Sequence, residues 1–125
     1  MTPLRISFLA TFLLSLSHNL IYFSLQGAKI TKASHFNQPF QLGGKINILC
    51  IADGSPKPTI TWYKDGAELV YKYNIHLQEQ TEPDGKQRSR IEIDPATVGD
   101  QGVYSCVVHN KYGSMVKNFK SEYFY

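Results

Sequence analysis

The sequence has few of the groups from which catalytic and metal sites are built. Its 125 residues include only two cysteines and four histidines, and His35, His76 and His109 do not have the spacing of metal ligands. No glycine-rich phosphate loop is present. Ser105 and His109 share one face of a predicted strand, but the four-residue step separates them by about 13 Å, too far for a nucleophile and its base to hydrogen-bond. We therefore expect a protein that is not an enzyme and that holds no metal or other cofactor.

A strong excess of charge of either sign is also missing. The formal net charge is +3, and Arg5 belongs to the N-terminal segment discussed below, which leaves +2 for the rest. So small an excess predicts neither nucleic-acid binding nor adhesion to a membrane surface. Lys86, Arg88 and Arg90 form a basic stripe that could face an acidic polysaccharide. Because acidic residues surround the stripe in the sequence, we interpret it as part of a solvated strand of mixed charge. These residues are Glu82, Asp84, Glu92 and Asp94.

Long apolar runs are confined to the N-terminus. A basic residue precedes the apolar run 6–14, which is the order found in secretory signals. Cleavage is plausible after Ser17 or after Gly27, and we favour the second site because residues 21–25 would otherwise leave an apolar tail. The alternative is an uncleaved signal anchor, since the stretch 6–25 has about the length that spans a bilayer, although polar residues interrupt it.

We assign residues 1–27 to a signal peptide and residues 28–125 to one domain, which is near the commonest domain size. The product is expected outside the cell, with no stable membrane insertion after removal of the signal. Cysteines in an oxidising compartment are usually paired, and two cysteines allow a single intramolecular bond, Cys50 to Cys106.

From residue 28 onward, short runs of alternating apolar and polar residues are separated by turn residues at intervals of about ten. This pattern predicts seven or eight strands in a sandwich or barrel. The last strand, residues 114–125, does not alternate cleanly, so it stays open whether Met115 or Val116 points inward. The predicted inward residues are Ile46, Ile48, Cys50, Ala52, Ile60, Trp62, Ile91, Ile93, Tyr104, Cys106 and Val108.

Both cysteines and the single tryptophan lie on inward faces of separate predicted strands. Trp62 follows Cys50 by 12 positions, and Cys106 follows Cys50 by 56 positions. A bond between the cysteines would join two sheets across a core about 10 Å thick, with the indole of Trp62 packed against the sulfur atoms.

The residues before the second cysteine predict a tight corner. Tyr104 lies two positions before that cysteine, where its hydroxyl can hydrogen-bond to the main chain at the preceding bend. We expect Asp100 and Gly102 to shape this bend, with Gly102 relieving backbone strain. Asp100 is expected to pair with Arg88 or Arg90.

With these spacings the chain resembles the immunoglobulin superfamily, in its intermediate or I-set branch. The matching segments are "GGKINILCIADGSPKPTITWYKDGAEL" and "IEIDPATVGDQGVYSCVVHNKYG", and the resemblance covers about residues 32–119. It implies an all-β immunoglobulin-like sandwich of two antiparallel sheets joined by one disulfide. The chain is also similar to the small secreted one-domain immunoglobulin proteins of invertebrates, some of which act at synapses as extracellular partners of receptors.

Strand parity in such a sandwich predicts which residues face outward. Tyrosine and exposed aliphatic residues suit an interface, so the sheet of the third, sixth and seventh strands is the first candidate for a binding face. A rival patch on the opposite sheet contains Leu49 and Ile51, and both sets could also be ordinary scattered surface apolarity. The predicted face consists of Thr61, Tyr63, Val107, His109 and either Met115 or Val116, with Tyr71 near its edge.

These features predict a secreted binding protein that acts as an adaptor, ligand or stabiliser of a cell-surface receptor complex, with synapses as one setting. Its expected partner is an extracellular protein or a receptor ectodomain. The alternatives are a self-associating adhesion or matrix module, and a form tethered to the membrane by an uncleaved signal anchor.

Overall fold

A computed structural model describes residues 26–125, so the predicted signal peptide up to residue 25 lies outside the described residues. Within the described part no helix is long and apolar enough to cross a bilayer. Residues 29–124 form mainly strands, with a short 3₁₀ turn at Val98–Asp100. The strands are β1 Lys29–Ala33, β2 Phe40–Gln41, β3 Ile46–Asp53, β4 Thr59–Lys64, β5 Ala67–Glu68, β6 Ile75–Thr81, β7 Gln87–Ile93, β8 Gly102–Asn110, β9 Gly113–Ser121 and β10 Tyr123–Phe124.

Two four-stranded antiparallel sheets form the sandwich. One has the order β1-β3-β7-β6 and the other the order β5-β4-β8-β9. The short strands β2 and β10 pair in parallel, and this pairing is extended by the amide of Gln38, which donates to the carbonyl of Lys120 at 2.8 Å. The predicted all-β sandwich is confirmed. The described chain has ten strand segments instead of seven or eight, because short segments such as β2, β5 and β10 are separate strands.

Alternation along the strands determines the core. The inward residues of β3, β4, β7 and β8 are buried, as their period of two predicts. Phe119 of β9 joins them, and its ring centroid lies 6.1 Å from that of Trp62. Phe40 of β2 and the half-buried Tyr123 of β10 close one side of the core, with ring centroids 6.4 Å apart.

Two connections cross from sheet to sheet through this core. The predicted disulfide between Cys50 of β3 and Cys106 of β8 is confirmed, and their Cα atoms are 6.7 Å apart. The indole nitrogen of Trp62 in β4 donates a hydrogen bond of 2.8 Å to the hydroxyl of Ser89 in β7. The sheets are therefore joined both covalently and by a buried hydrogen bond.

The structure decides the orientation of β9 that the sequence left open. Val116 pairs with the outward Val107 and is 54% exposed. Met115 pairs with the inward Val108 but is also exposed, and its sulfur accepts a hydrogen bond from the amide of Ile30. Val116 is thus the residue that points outward.

One asparagine fixes the beginning of the described chain to the sandwich. The side-chain oxygen of Asn110 accepts a hydrogen bond from the amide of Ala28, and its nitrogen donates to the carbonyls of Gln26 and Pro56. The carbonyl of Gln26 also accepts a hydrogen bond from the amide of Ser55 at 3.0 Å. Gln26 and Ala28 are therefore integrated into the domain through its β8–β9 turn.

Ile51 points away from the core, as its parity predicts, and it pairs with Lys32 on one side and Arg88 on the other. Only 8% of the residue is accessible, however, so it adds little to an exposed patch. Long basic side chains on the same face cover apolar neighbours with their methylene stems. Leu49 on the same strand is only partly exposed.

Candidate protein-binding face

The outward side of the sheet β5-β4-β8-β9 carries three rows of aligned side chains. The central row is Thr61, Val107 and Val116, which are consecutive partners across β4, β8 and β9. The flanking rows are Tyr63, Ser105 and Asn118 on one side, and Thr59, His109 and Ser114 on the other. We call these nine residues the neutral face.

The neutral face brings together four of the predicted binding residues, Thr61, Tyr63, Val107 and His109, on two adjacent strands. His109 is its only titratable group other than the phenol of Tyr63. The hydroxyl of Ser105 donates a hydrogen bond of 2.6 Å to the side chain of Asn118, so part of its polar surface is already paired within the sheet. The result is a nearly uncharged surface on the interior strands β4 and β8 and the edge strand β9.

Tyr71, predicted near the edge of this face, lies in the loop between β5 and β6, which are edge strands of the two sheets. Burial, together with nearby Glu79 and Glu68, raises the pKa of its phenol, and 44% of the residue is exposed. Val70 and Tyr73 of the same loop are more exposed still. Sequence parity could not place Tyr71 because parity applies only within a strand.

Asp100 holds the corner before β8, although not with the partner that was predicted. Its carboxylate is 1% exposed and accepts hydrogen bonds from the amide and hydroxyl of Thr97 and from the side chain of Asn74. Lys72 forms an ion pair with it at 3.1 Å. The predicted pairing with an arginine of β7 is wrong, because the side chains concerned, Arg88 and Arg90, point away from the core on the opposite sheet.

Two further contacts complete the corner. The hydroxyl of Tyr104 donates to the backbone carbonyl of Asp100 at 2.5 Å. Gly102 has a φ of +154°, and a Cβ atom there would lie 2.7 Å from a carboxylate oxygen of Asp65. Asp65 accepts a hydrogen bond from the amide of Val103 and donates its own amide to the carbonyl of Val103. Glycine is therefore needed because the β4–β5 turn packs directly against β8.

Part of this corner can be recognised from a local sequence pattern. Thr97 and Asp100 have the spacing of a capping box. The amide of Thr97 donates to the carboxylate of Asp100, and the amide of Asp100 donates to the carbonyl of Thr97. Lys72 and Asn74 come from a loop about 26 residues earlier, and no local pattern links them to Asp100.

The described residues show no arrangement suited to nucleophilic or metal chemistry. Ser105 donates to Asn118, and His109 lies two rows further along the sheet. Across residues 26–125, no group of three histidine, cysteine or acidic side chains could hold a metal ion. A cleft of about 270 Å³ opens near the β5–β6 loop, but the carboxylate of Asp100 on its wall is already occupied by the donors described above.

Comparison with known proteins agrees with this architecture. The immunoglobulin domain family model matches residues 29–110. The immunoglobulin domain-containing protein oig-4 of Caenorhabditis elegans is 51% identical over 100 residues, which cover 80% of this chain and 64% of that protein. The related oig-1 of the same organism is 39% identical over 97 residues, covering 78% of this chain and 70% of that protein. The chain thus spans just under two thirds of the length of oig-4.

A solved structure shows the same fold. The crystal structure of Dpr2 Ig1-Ig2 in complex with DIP-Theta Ig1-Ig3 matches with a TM-score of 0.71 at 21% sequence identity, over 78% of this chain and 32% of the matched chain. The sandwich, its disulfide and its corner define an immunoglobulin-type domain. The chain belongs to the immunoglobulin domain family.

The buried carboxylate generates a prediction about stability in acid. Burial alone would raise the pKa of Asp100, but the hydrogen bonds from Thr97, Lys72 and Asn74 outweigh it and lower that pKa. The ionised group therefore stabilises the fold fully above the carboxyl pKa of the unfolded chain, about 3.9. This stabilisation is lost as the pH falls through the lower folded value. Asp100→Asn should cost about 1–3 kcal/mol at neutral pH, and its deficit relative to wild type should shrink between about pH 4 and pH 2.

Thermal unfolding from pH 7 to pH 2 measures this deficit. Glu79→Gln is the matched control, because Glu79 is an exposed carboxylate on β6 and should leave the wild-type profile unchanged. A deficit for Asp100→Asn that stays constant across the acid range would contradict the assigned role of the charge.

Proposed function

We propose that this protein acts outside the cell as a binding module of the immunoglobulin type, an adaptor, ligand or stabiliser of a cell-surface receptor complex. The observation that carries the proposal is the neutral face, nine aligned side chains on β4, β8 and β9 of a disulfide-linked sandwich. The protein supplies a surface to its partner and performs no chemistry on it.

The composition of the neutral face supports this role. The buried centre of a protein interface is poor in charge and rich in aromatic and aliphatic groups, and Tyr63, Val107 and Val116 provide such groups within hydrogen-bonding surroundings. β4 and β8 are each paired on both sides, so their side chains are held before binding. A preorganised surface loses little conformational freedom on association, which favours affinity from a modest contact area.

The partner class follows from the same features. A flat sheet face without a deep pocket suits another folded surface better than a small ligand. Dpr2 and DIP-Theta, which share this fold, form a complex of immunoglobulin domains, so an ectodomain of that class is the first partner to test. The resemblance to small secreted one-domain proteins extends the proposal to receptor complexes at synapses.

Export is part of the proposal, with residues near the N-terminus removed as a signal peptide. The contacts of Gln26 and Ala28 favour cleavage after Ser17 over cleavage after Gly27. A cut after Gly27 would remove the carbonyl that accepts hydrogen bonds from Asn110 and Ser55. It would also place a new charged amino group at the partly buried nitrogen of Ala28.

Self-association is the second candidate, and one feature favours it. β6 is an edge strand, and six consecutive residues from position 76 to position 81 are exposed along it. An unpaired edge of this length can pair with another chain. Sedimentation at micromolar concentration tests this: we expect a monomer under the main proposal, and a concentration-dependent dimer would favour the alternative.

The main proposal predicts that Val107→Asp weakens partner binding at least tenfold, because a carboxylate in the central row would be buried without a counter-charge. The measurement is binding to an array of purified immunoglobulin ectodomains from the producing organism. Gln80→Asp adds the same charge to an exposed position on the opposite sheet and should bind like wild type. Thermal unfolding of both variants establishes that the sandwich is intact. Equal binding by wild type and Val107→Asp would exclude the neutral face.

A separate measurement addresses export. The full chain expressed in a secretory host should appear in the medium with residue 18 as its first residue, determined by N-terminal sequencing or intact mass. Material beginning at residue 28 would contradict the assignment of Gln26 to the mature domain. Material retained in membranes with residues 1–17 still attached would favour the tethered form.

A further inference from the structure

The outward side of the other sheet differs in charge from the neutral face. Lys32 of β1, Ile51 of β3 and Arg88 of β7 are consecutive partners across the sheet, and Arg90 follows Arg88 on the same outward side. The cross-strand spacing places Lys32 and Arg88 about 10 Å apart, and Arg90 lies about 7 Å beyond Arg88 along the strand. We call Lys32, Arg88 and Arg90 the basic face.

The acidic residues that surround this stripe in the sequence do not occupy the middle of the face. Glu92 lies one row beyond Arg90 and is paired with Lys45 at 3.0 Å, while Asp84 is in the β6–β7 turn and is paired with Lys86 at 2.9 Å. Glu82 precedes the same turn, and its nearest oxygen is 4.0 Å from the guanidinium of Arg88. Acidic groups therefore lie at the two ends of the basic face, where lysines pair with Glu92 and Asp84 and Arg88 itself pairs with Glu82. Asp53, two residues after Ile51 on β3, lies at the same end as Asp84.

Arg88 has Glu82 as an acidic partner at 4.0 Å, whereas Arg90 and Lys32 form no ion pair among the described residues. The guanidinium of Arg90 donates to the side-chain oxygens of Asn47 and Gln78. The side chain of Lys32 is exposed and forms no ion pair or hydrogen bond among the described residues.

We propose that the basic face binds a sulfated polysaccharide of the cell surface or matrix. Guanidinium groups bind sulfate-like oxyanions through two parallel hydrogen bonds, and a lysine adds a point charge. β3 and β7 are interior strands whose backbone groups are already paired, so an acidic peptide could not add there as a strand. A linear polyanion needs neither a strand edge nor a pocket, and the flat basic face offers it charges at regular spacing. The inference rests on the proposed export but not on the partner of the neutral face.

Binding to size-defined heparin at 150 mM NaCl tests this proposal. The double variant Lys32→Gln/Arg88→Gln should raise the dissociation constant about tenfold or more, since it removes two of the three cations. The matched control is Lys117→Gln/Lys120→Gln, which removes the same net charge from β9 on the other sheet and should change the constant less than twofold. Unchanged thermal unfolding in both double variants establishes that the domain is folded.

The other outcomes are equally defined. Similar losses in the two double variants, or no heparin binding by wild type at this salt concentration, would overturn the proposal. Displacement by polyglutamate as effective as displacement by heparin would also overturn it, in favour of an acidic protein segment. Val107→Asp should retain full heparin binding, so a failure of the neutral face as a receptor site would leave this result unaffected.

Discussion

The bridge across the two sheets is the constraint on which the rest of this domain depends. Cys50 and Cys106 close a loop of 56 residues, which on the chain-entropy account removes about 4 kcal/mol of denatured-state freedom. For domains that are stable by about 5–15 kcal/mol this is a large share. The hydrogen bond from Trp62 to Ser89 crosses the same core. Because both links join inward positions, a shift by one residue would turn the cysteines away from each other and reverse every face.

The corner before β8 fixes the position of that strand, whose outward residues belong to the neutral face. The carboxylate of Asp100 is bound by Thr97, Asn74 and Lys72. Its backbone carbonyl accepts a hydrogen bond from the hydroxyl of Tyr104. A buried carboxylate is tolerated only when its oxygens are satisfied, so the corner has one stable arrangement. Gly102 then allows the β4–β5 turn to contact β8 directly. β8 and β4 are thereby held in the register that aligns the three rows of the neutral face.

The sandwich, its inward residues and its disulfide were predictable from the sequence. A strand that is buried on one side alternates apolar and polar residues, and this alternation can be read locally. What could not be predicted are contacts that no local pattern encodes. The partner of Asp100 is Lys72, a loop residue whose path depends on the whole fold. Ile51 has outward parity yet is covered by neighbours from two other strands. The mixed-charge reading of the basic stripe stays a prediction, and the structure adds Lys32 of β1 to the same side of the sheet, a neighbour that no local pattern indicates.

The two outer faces are separated by the thickness of the sandwich, so a ligand on one does not obstruct a ligand on the other. On β7 two of the outward side chains, Arg88 and Arg90, are cationic, whereas on β8 the outward Ser105 and Val107 are neutral. A module that is held by a polysaccharide through its basic face remains free to present its neutral face to a receptor. In the proposed arrangement, retention by the polysaccharide would raise the effective concentration of the second binding event. The disulfide-linked core suits such an arrangement because it keeps the orientation of both faces fixed relative to each other.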